Sequence, residues 1–215
     1  MLFCEMNELF DRKFEIFQKR VKLFRYVPFA EFVMLAGSMA VSRMNEESDF
    51  DVLVGAREKR VWTTWFLSTL IFQLRGWREH PGVRKMNRIA LTHFVSKNGY
   101  RLGPPYDNYR EGGYTWEDLY RGLVPAIGDE NAMALFFRAN DWMNPPRYYI
   151  RHVGYIGELT SFPKRVIEKF LTGKIGDMTE AFFRKRLENR LENPKKIGIN
   201  PRVRYDDSRI EIYRG

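Results

Sequence analysis

Two short apolar runs, "EFVMLAGS" at residues 31–38 and "SDFDVLVG" at 48–55, constrain this chain more than any other feature. Runs of this length, rich in large apolar side chains and closed by Gly or Ser, read as strands buried in a sheet. The second run nevertheless carries two aspartates. On a strand, successive side chains alternate faces, so Asp49 and Asp51 share one face about 6.6 Å apart at Cα, while Phe50, Val52 and Val54 take the other. Two carboxylates held together without a cation repel, and one is forced toward its neutral form. A hard divalent ion removes that cost. Magnesium takes oxygen ligands and commonly bridges one or two carboxylates to substrate phosphates. Gly37 lets a ligand approach the backbone closely, and Ser38 is expected to cap a short helix over 39–44, offering a hydroxyl and backbone N–H groups to phosphate oxygens. A metal-chelated nucleoside triphosphate fits this combination.

The remaining pattern predicts an order of elements. Met6, Phe10, Phe14, Phe17, Val21 and Phe24 recur at three- and four-residue steps, which predicts an amphipathic helix over 5–25 that ends before Pro28. After the second strand, a helix is expected over 57–75, stopped by Gly76 and the "HPG" turn, and "NRIALTHFVS" is the third strand. Residues 99–115, rich in Gly, Pro and Tyr, read as a loop or linker. Helical spacing then recurs over 116–124, 129–143, 161–172 and 178–192. The tail from Asn193 is expected to fray or form a terminal strand. The predicted fold is α+β, a short mixed sheet flanked by helices with a C-terminal helical extension: a core over 1–98, the linker over 99–115, and a helical, basic region over 116–215.

With 215 residues, 44% of them hydrophobic, the chain is large enough to bury a real core. Its net charge of +9 makes polyanions plausible partners. The excess is uneven, +6 from Arg151 onward against +3 before it. Its single cysteine, Cys4, excludes an internal disulfide, and the N-terminus lacks the pattern of a secretory leader, so a reducing, cytoplasmic setting is expected. The longest uncharged apolar run, residues 61–74, is too short to span a bilayer, and no membrane association is expected. No zinc-type Cys/His spacing, Walker-type glycine loop or Gly-x-Ser-x-Gly elbow is present.

A strand ending in Gly37-Ser38, ten intervening residues, then Asp49-x-Asp51 followed by "VLV" resembles the signature of the nucleotidyltransferases related to DNA polymerase beta, and in particular of small bacterial proteins with a minimal nucleotidyltransferase domain. The resemblance covers the motif at 37–54 and extends in fold order over about 31–96. It implies transfer of a nucleoside monophosphate from an NTP to a hydroxyl acceptor, with RNA a candidate, assisted by Mg2+ or Mn2+. Carried over by position, Asp49 and Asp51 would hold the metal and act in catalysis, Gly37 and Ser38 would hold the phosphates, and Arg43, between the motif's two halves, would add a basic contact.

The chain departs from that family at the third carboxylate, which usually lies on the strand corresponding to "RIALTHFV". Thr92 and His93 are the polar residues there, and neutral His93 is the candidate proton acceptor. Glu79 and His80 lie just upstream as weaker candidates. The alternative is a catalytically degenerate member that binds nucleotide or RNA without chemistry. Arg84, Lys85 and Arg88, and the loop tyrosines 100, 106, 109 and 114, are further candidate contacts to triphosphate or acceptor.

Overall fold

Strands β1 (Ala30–Ala36) and β2 (Phe50–Ala56) pair antiparallel, with Val33 opposite Val54, Leu35 opposite Val52 and Ala36 opposite Asp51. Both consist almost wholly of residues that stay apolar on either face, so each is buried from both sides. The computed structural model describes residues 2–41, 44–79, 86–102, 110–111, 114–115, 120, 122–143, 157–191 and 202–213. Helix α3 (Val61–Leu74) carries the chain from β2 across to β3 (Ile89–Val95), which runs parallel to β2, as a crossover helix permits. β6 (Val124–Gly128) pairs antiparallel with the other edge of β1, and the hairpin of β7 (Arg202–Tyr205) and β8 (Arg209–Tyr213) pairs with β3 through β8. The result is a six-stranded mixed sheet in the order β6-β1-β2-β3-β8-β7. A separate two-stranded hairpin, β4 (Arg110–Glu111) and β5 (Tyr114–Thr115), lies within the segment expected as loop.

The mixed α+β class is as expected, but several boundaries differ. The short helix α2 spans Gly37–Ala40 rather than 39–44, its N-cap position is Ala36, and Ser38 lies inside it. Of the helix expected over 116–124, residues 116–119 and 121 lie outside the described residues and Tyr120 is helical; from Val124 the chain is strand, because "VPAIG" is buried along its whole length against β1. Pro125 is tolerated because β6 is an edge strand with a register shift opposite Met34. The region from 116 onward, expected to be helical, thus supplies three of the six strands. It also supplies α4 (Glu130–Ala139), capped by Asp129, α5 (Phe162–Phe170) and α6 (Gly173–Leu191).

The sheet has a core on each side. On one, Val33, Leu35, Val52, Val54 and Phe94 meet α1 (Leu2–Val21) and α3, with Phe17 tilted against Phe50 at 5.5 Å and Phe24 against Phe72 at 4.8 Å between centroids. On the other, Phe32, Met34, Leu53 and Val95 meet Tyr100, Tyr120 and Phe136. α3 is buried over most of its circumference, between the sheet and α6, where Phe66 stacks on Phe183 at 4.0 Å. Among the described residues, no helix is long and apolar enough to cross a membrane.

α3 begins without a capping side chain of its own. Glu180 of α6 supplies one: its carboxylate accepts from Trp62 N at 2.9 Å, Thr63 N at 2.8 Å and Thr63 Oγ1 at 2.6 Å. It thereby satisfies orphan donors and places negative charge at the positive end of the helix. Truncation to Ala leaves those donors buried and unpaired, which costs about 2 kcal/mol. Thermal melts of Glu180→Ala are expected to fall by about 4–8 °C at this chain length, with Glu180→Gln losing less; an unchanged Ala variant would refute the capping role.

Lys164 ties α5 to β1 in a similar way, donating through Nζ to the carbonyls of Ala30 at 2.5 Å and Leu159 at 2.7 Å. Burial pulls its ammonium down to about 8 from 10.5, against the opposing pull of Glu168. Below pH 8 both folded and unfolded chains carry this proton and the burial cost is full. Between 8 and 10.5 the folded chain sheds it first, so that cost is relieved as pH rises. Urea unfolding across that window should therefore show the wild type gaining stability relative to Lys164→Met; a constant difference would contradict the shift.

Candidate functional site

The pairing of Ala36 with Asp51 sets the site. Beyond Ala36 the chain turns through Gly37, whose φ is +70°, a conformation that side chains rarely adopt. The Asp51 carboxylate occupies the space a side chain would need: a Cβ on Gly37 would stand 2.0 Å from Asp51 Oδ2. Glycine is thus required twice over, for its backbone angle and for the approach of this acid. Ser38 follows, half-buried in the first turn of α2. The two halves of the motif, separate in sequence, form one surface at the C-terminal end of β1 and the N-terminal end of β2. Arg43 lies outside the described residues.

Asp49 precedes β2 by one residue and is half-buried. Its Oδ1 accepts from Arg88 N at 2.8 Å, and the chain then enters the parallel ladder through Phe50 N to Arg88 O at 2.7 Å. Burial pushes the Asp49 carboxyl up, the Arg88 hydrogen bond opposes that rise, and the charge of Glu79 adds to it. Glu79 comes within range because Trp77–Glu79 bridges to the start of β3, with Glu79 N donating to Ile89 O at 3.1 Å. His80, Arg84 and Lys85 lie outside the described residues.

Three cations surround Asp49, all engaged elsewhere. Lys13, 2% exposed, donates to Glu46 O at 3.0 Å, Ser48 O at 2.8 Å and Asn87 Oδ1 at 2.8 Å. Arg20 bonds Asn87 O and lies over the Trp77 ring at 5.5 Å. Arg88 donates to Arg78 O at 3.1 Å. Burial pulls Lys13 and Arg20 below their usual values, with the Asp49 charge opposing in both. These cations fix the loops on either side of Asp49 and leave a positive field that favours phosphate.

β3 carries Ala90 opposite Asp51 and His93 opposite Leu53, so His93 shares the face of Asp51 but lies further into the sheet. Its ring is 6% exposed, with Nδ1 2.9 Å from Tyr120 Oη and Nε2 3.5 Å from Glu211 Oε1, outside hydrogen-bond geometry. Glu211, fully buried on β8 directly opposite His93, was missed by sequence reasoning. Its signal was an acid placed between Ile210 and Ile212, two positions with the apolar alternation of a strand.

Asp49 and Asp51 offer hard oxygen donors, and the space beside Gly37 admits no side chain of its own. Two carboxylates completed by phosphate and water meet the needs of magnesium. Among the described residues, no group of three His, Cys, Asp or Glu side chains is gathered at metal-holding distance. Of the expected site residues, the structure brings together Gly37 and Asp51, sets Ser38 beside them and Asp49 at the same end of the sheet, and holds His93 in a buried contact with Tyr120 and Glu211. Comparison with known proteins finds no matching family model, no matching curated protein and no matching solved structure.

Proposed function

We propose that the chain is a metal-dependent nucleotidyltransferase that moves a nucleoside monophosphate from an NTP to a hydroxyl acceptor, with RNA the acceptor that its charge favours. The observation that carries this reading is the contact of the Asp51 carboxylate with Gly37, which makes one surface of a phosphate-binding turn and a carboxylate pair. Asp49 and Asp51 would hold Mg2+ or Mn2+, which when bound would supply charge stabilisation to the attacking and leaving oxygens. The Gly37 backbone and the polar first turn of α2 at Ser38 receive the phosphates, within the field of Lys13, Arg20 and Arg88.

In the reaction, the acceptor hydroxyl oxygen attacks the α-phosphorus, the bond from that phosphorus to the bridging oxygen breaks, and pyrophosphate leaves. The hydroxyl proton needs an acceptor. His93, expected in that role, has both ring nitrogens facing Tyr120 and Glu211. Asp49, with Oδ1 tied to Arg88, would have Oδ2 committed to the metal it holds, so solvent water takes the proton. His93 then acts by fixing the sheet face on which Asp51 stands.

A second reading, nucleotide binding without transfer, is favoured by Ala90, which stands where the neighbouring strand faces Asp51 with no acid. Incubation with α-labelled NTPs, Mg2+ or Mn2+ and total cellular RNA separates the two. Labelled RNA is expected from the wild type, reduced at least 100-fold in Asp49→Asn and in Asp51→Asn. Nucleotide binding by calorimetry that depends on both aspartates, with no label transferred to any acceptor, would favour the second reading; label that survives both substitutions would overturn the first.

Gly37→Ala tests the carrying observation separately. The new methyl must displace the Asp51 carboxylate and hold a strained φ, costing about 1–2 kcal/mol of stability. Displacement of a positioned group by about 1 Å costs on the order of 100-fold in rate. Label transfer should fall accordingly while circular dichroism remains that of a folded chain. A folded Gly37→Ala protein with full activity would sink the assignment.

A further inference from the structure

Helices α5 and α6 expose large apolar side chains that no described residue covers. On α5, Phe162, Val166 and Phe170 follow one another at four-residue steps and are 72%, 36% and 72% exposed. On α6, Ile175, Met178 and Phe182 form the matching stripe, 64%, 74% and 60% exposed. Only Leu171 and Thr172 separate the two helices. Six such residues on adjoining helices exceed the scattered apolar exposure that is normal for a protein surface. The α6 stripe continues through Arg186, one turn beyond Phe182, to a cleft of about 520 Å³ between α3 and α6, lined by Phe66, Leu70 and Leu187.

The charge around the stripe has one sign. Every described acid of the two helices is paired: Glu168 with Phe29 N at 2.6 Å and Arg57 at 3.2 Å, Asp177 with Arg60 at 2.9 Å and Glu180 with the start of α3, all on the body of the protein, and Glu188 with Arg184 of its own helix at 2.8 Å. The exposed cations Arg165, Lys169, Lys174, Lys185 and Arg186 have no acid partner among the described residues. At 100° per residue, Arg165 and Lys169 border the α5 stripe, and Lys174, Lys185 and Arg186 border the α6 stripe.

We infer that this face is a docking surface for an acidic amphipathic helix of a partner protein, its apolar side lying along the α5–α6 stripe and reaching the α3–α6 cleft, its carboxylates meeting the cation rim. Apolar residues at the centre, with Phe and Met prominent and charge at the edge, match the anatomy of a protein interface. An amphipathic helix in an apolar groove is the mode that offers i, i+3, i+4 and i+7 anchors to such a stripe. A nucleic acid would place phosphates where Phe and Met now stand. A second copy would bring like-charged rims together. The inference does not depend on the proposed transferase activity.

The test uses the full chain and two fluorescein-labelled synthetic 20-residue peptides, each with Leu at helical spacing, one filled with Glu and the other with Lys. Polarisation should show the Glu peptide binding at least tenfold tighter than the Lys peptide, with affinity falling as salt is raised. Phe170→Ser and Met178→Ser, both at exposed positions where folding is not at stake, should each weaken it tenfold or more; Arg186→Glu should weaken it and reduce its salt dependence. The inference is overturned if neither peptide binds, if both bind equally, or if the serine variants bind as the wild type does. It is likewise overturned if light scattering shows a dimer that Phe170→Ser dissociates, or if vesicles containing phosphatidylglycerol bind through these residues while the Glu peptide does not.

Discussion

The register of β1 against β2 is the constraint on which the site rests. Ala36 opposite Asp51 places Gly37, the next residue, under the carboxylate. A slip of one residue would turn Asp51 into the core beneath α3 and turn Val52 out toward Gly37. The register resists that slip because both strands are buried on both faces, with Val33, Leu35, Val52 and Val54 packed on one side and Phe32, Met34 and Leu53 on the other. Apolar packing on each side therefore fixes a polar contact at the strand ends, where burial alone would exclude it.

The loops on either side of the carboxylates are fixed by a different force. Lys13 reaches from α1 to the carbonyls of Glu46 and Ser48 and to Asn87, joining the approach to β2 to the approach to β3. Its ammonium is buried, which is costly unless its donors are satisfied, and three acceptors satisfy them. Arg20 and Arg88 are likewise bound to backbone carbonyls. Because these donors point at neutral acceptors and not at Asp49, their charge is not spent in ion pairs with the aspartate. They leave around Asp49 a field that also draws phosphate, so the same three side chains hold the loops and prepare the site.

Legibility in the sequence divides by the range of the interaction. β1, β2, α3 and β3 could be read because each carries its own period or apolar run, whereas the placing of Gly37-Ser38 beside Asp49-x-Asp51 on a neighbouring strand came from the motif's resemblance to a known signature. β6 was hidden because "VPAIG" contains Pro and Gly, which weigh against a strand until an edge position against β1 excuses them. The C-terminal hairpin joins β3 more than a hundred residues away in sequence, at a place that local pattern cannot specify. Glu211 was lost for the same reason: its meaning as a buried acid opposite His93 exists only once β8 has paired. Glu79 was visible as an acid in a turn, but its nearness to Asp49 depends on a bridge to Ile89 that no periodicity announces.

The positive charge of the C-terminal third takes a different sense once the structure assigns each charge a direction. Composition counts Glu168, Asp177, Glu180 and Glu188 against the lysines and arginines around them. In the fold Glu168 and Glu180 turn inward, binding Phe29 N and Arg57 and capping α3, while the exposed Asp177 pairs with Arg60 and Glu188 pairs with Arg184 of its own helix. The charges of these helices left without an opposite partner among the described residues are cations, so the face that a partner meets is more basic than the sequence count shows. Attaching α5 and α6 to the sheet thus creates the asymmetry: the acids that hold these helices in place are the ones whose charge is matched by partners on the body. A chain that used apolar contacts alone to seat α6 would leave those acids unmatched and lose the single-signed rim around Phe170 and Met178.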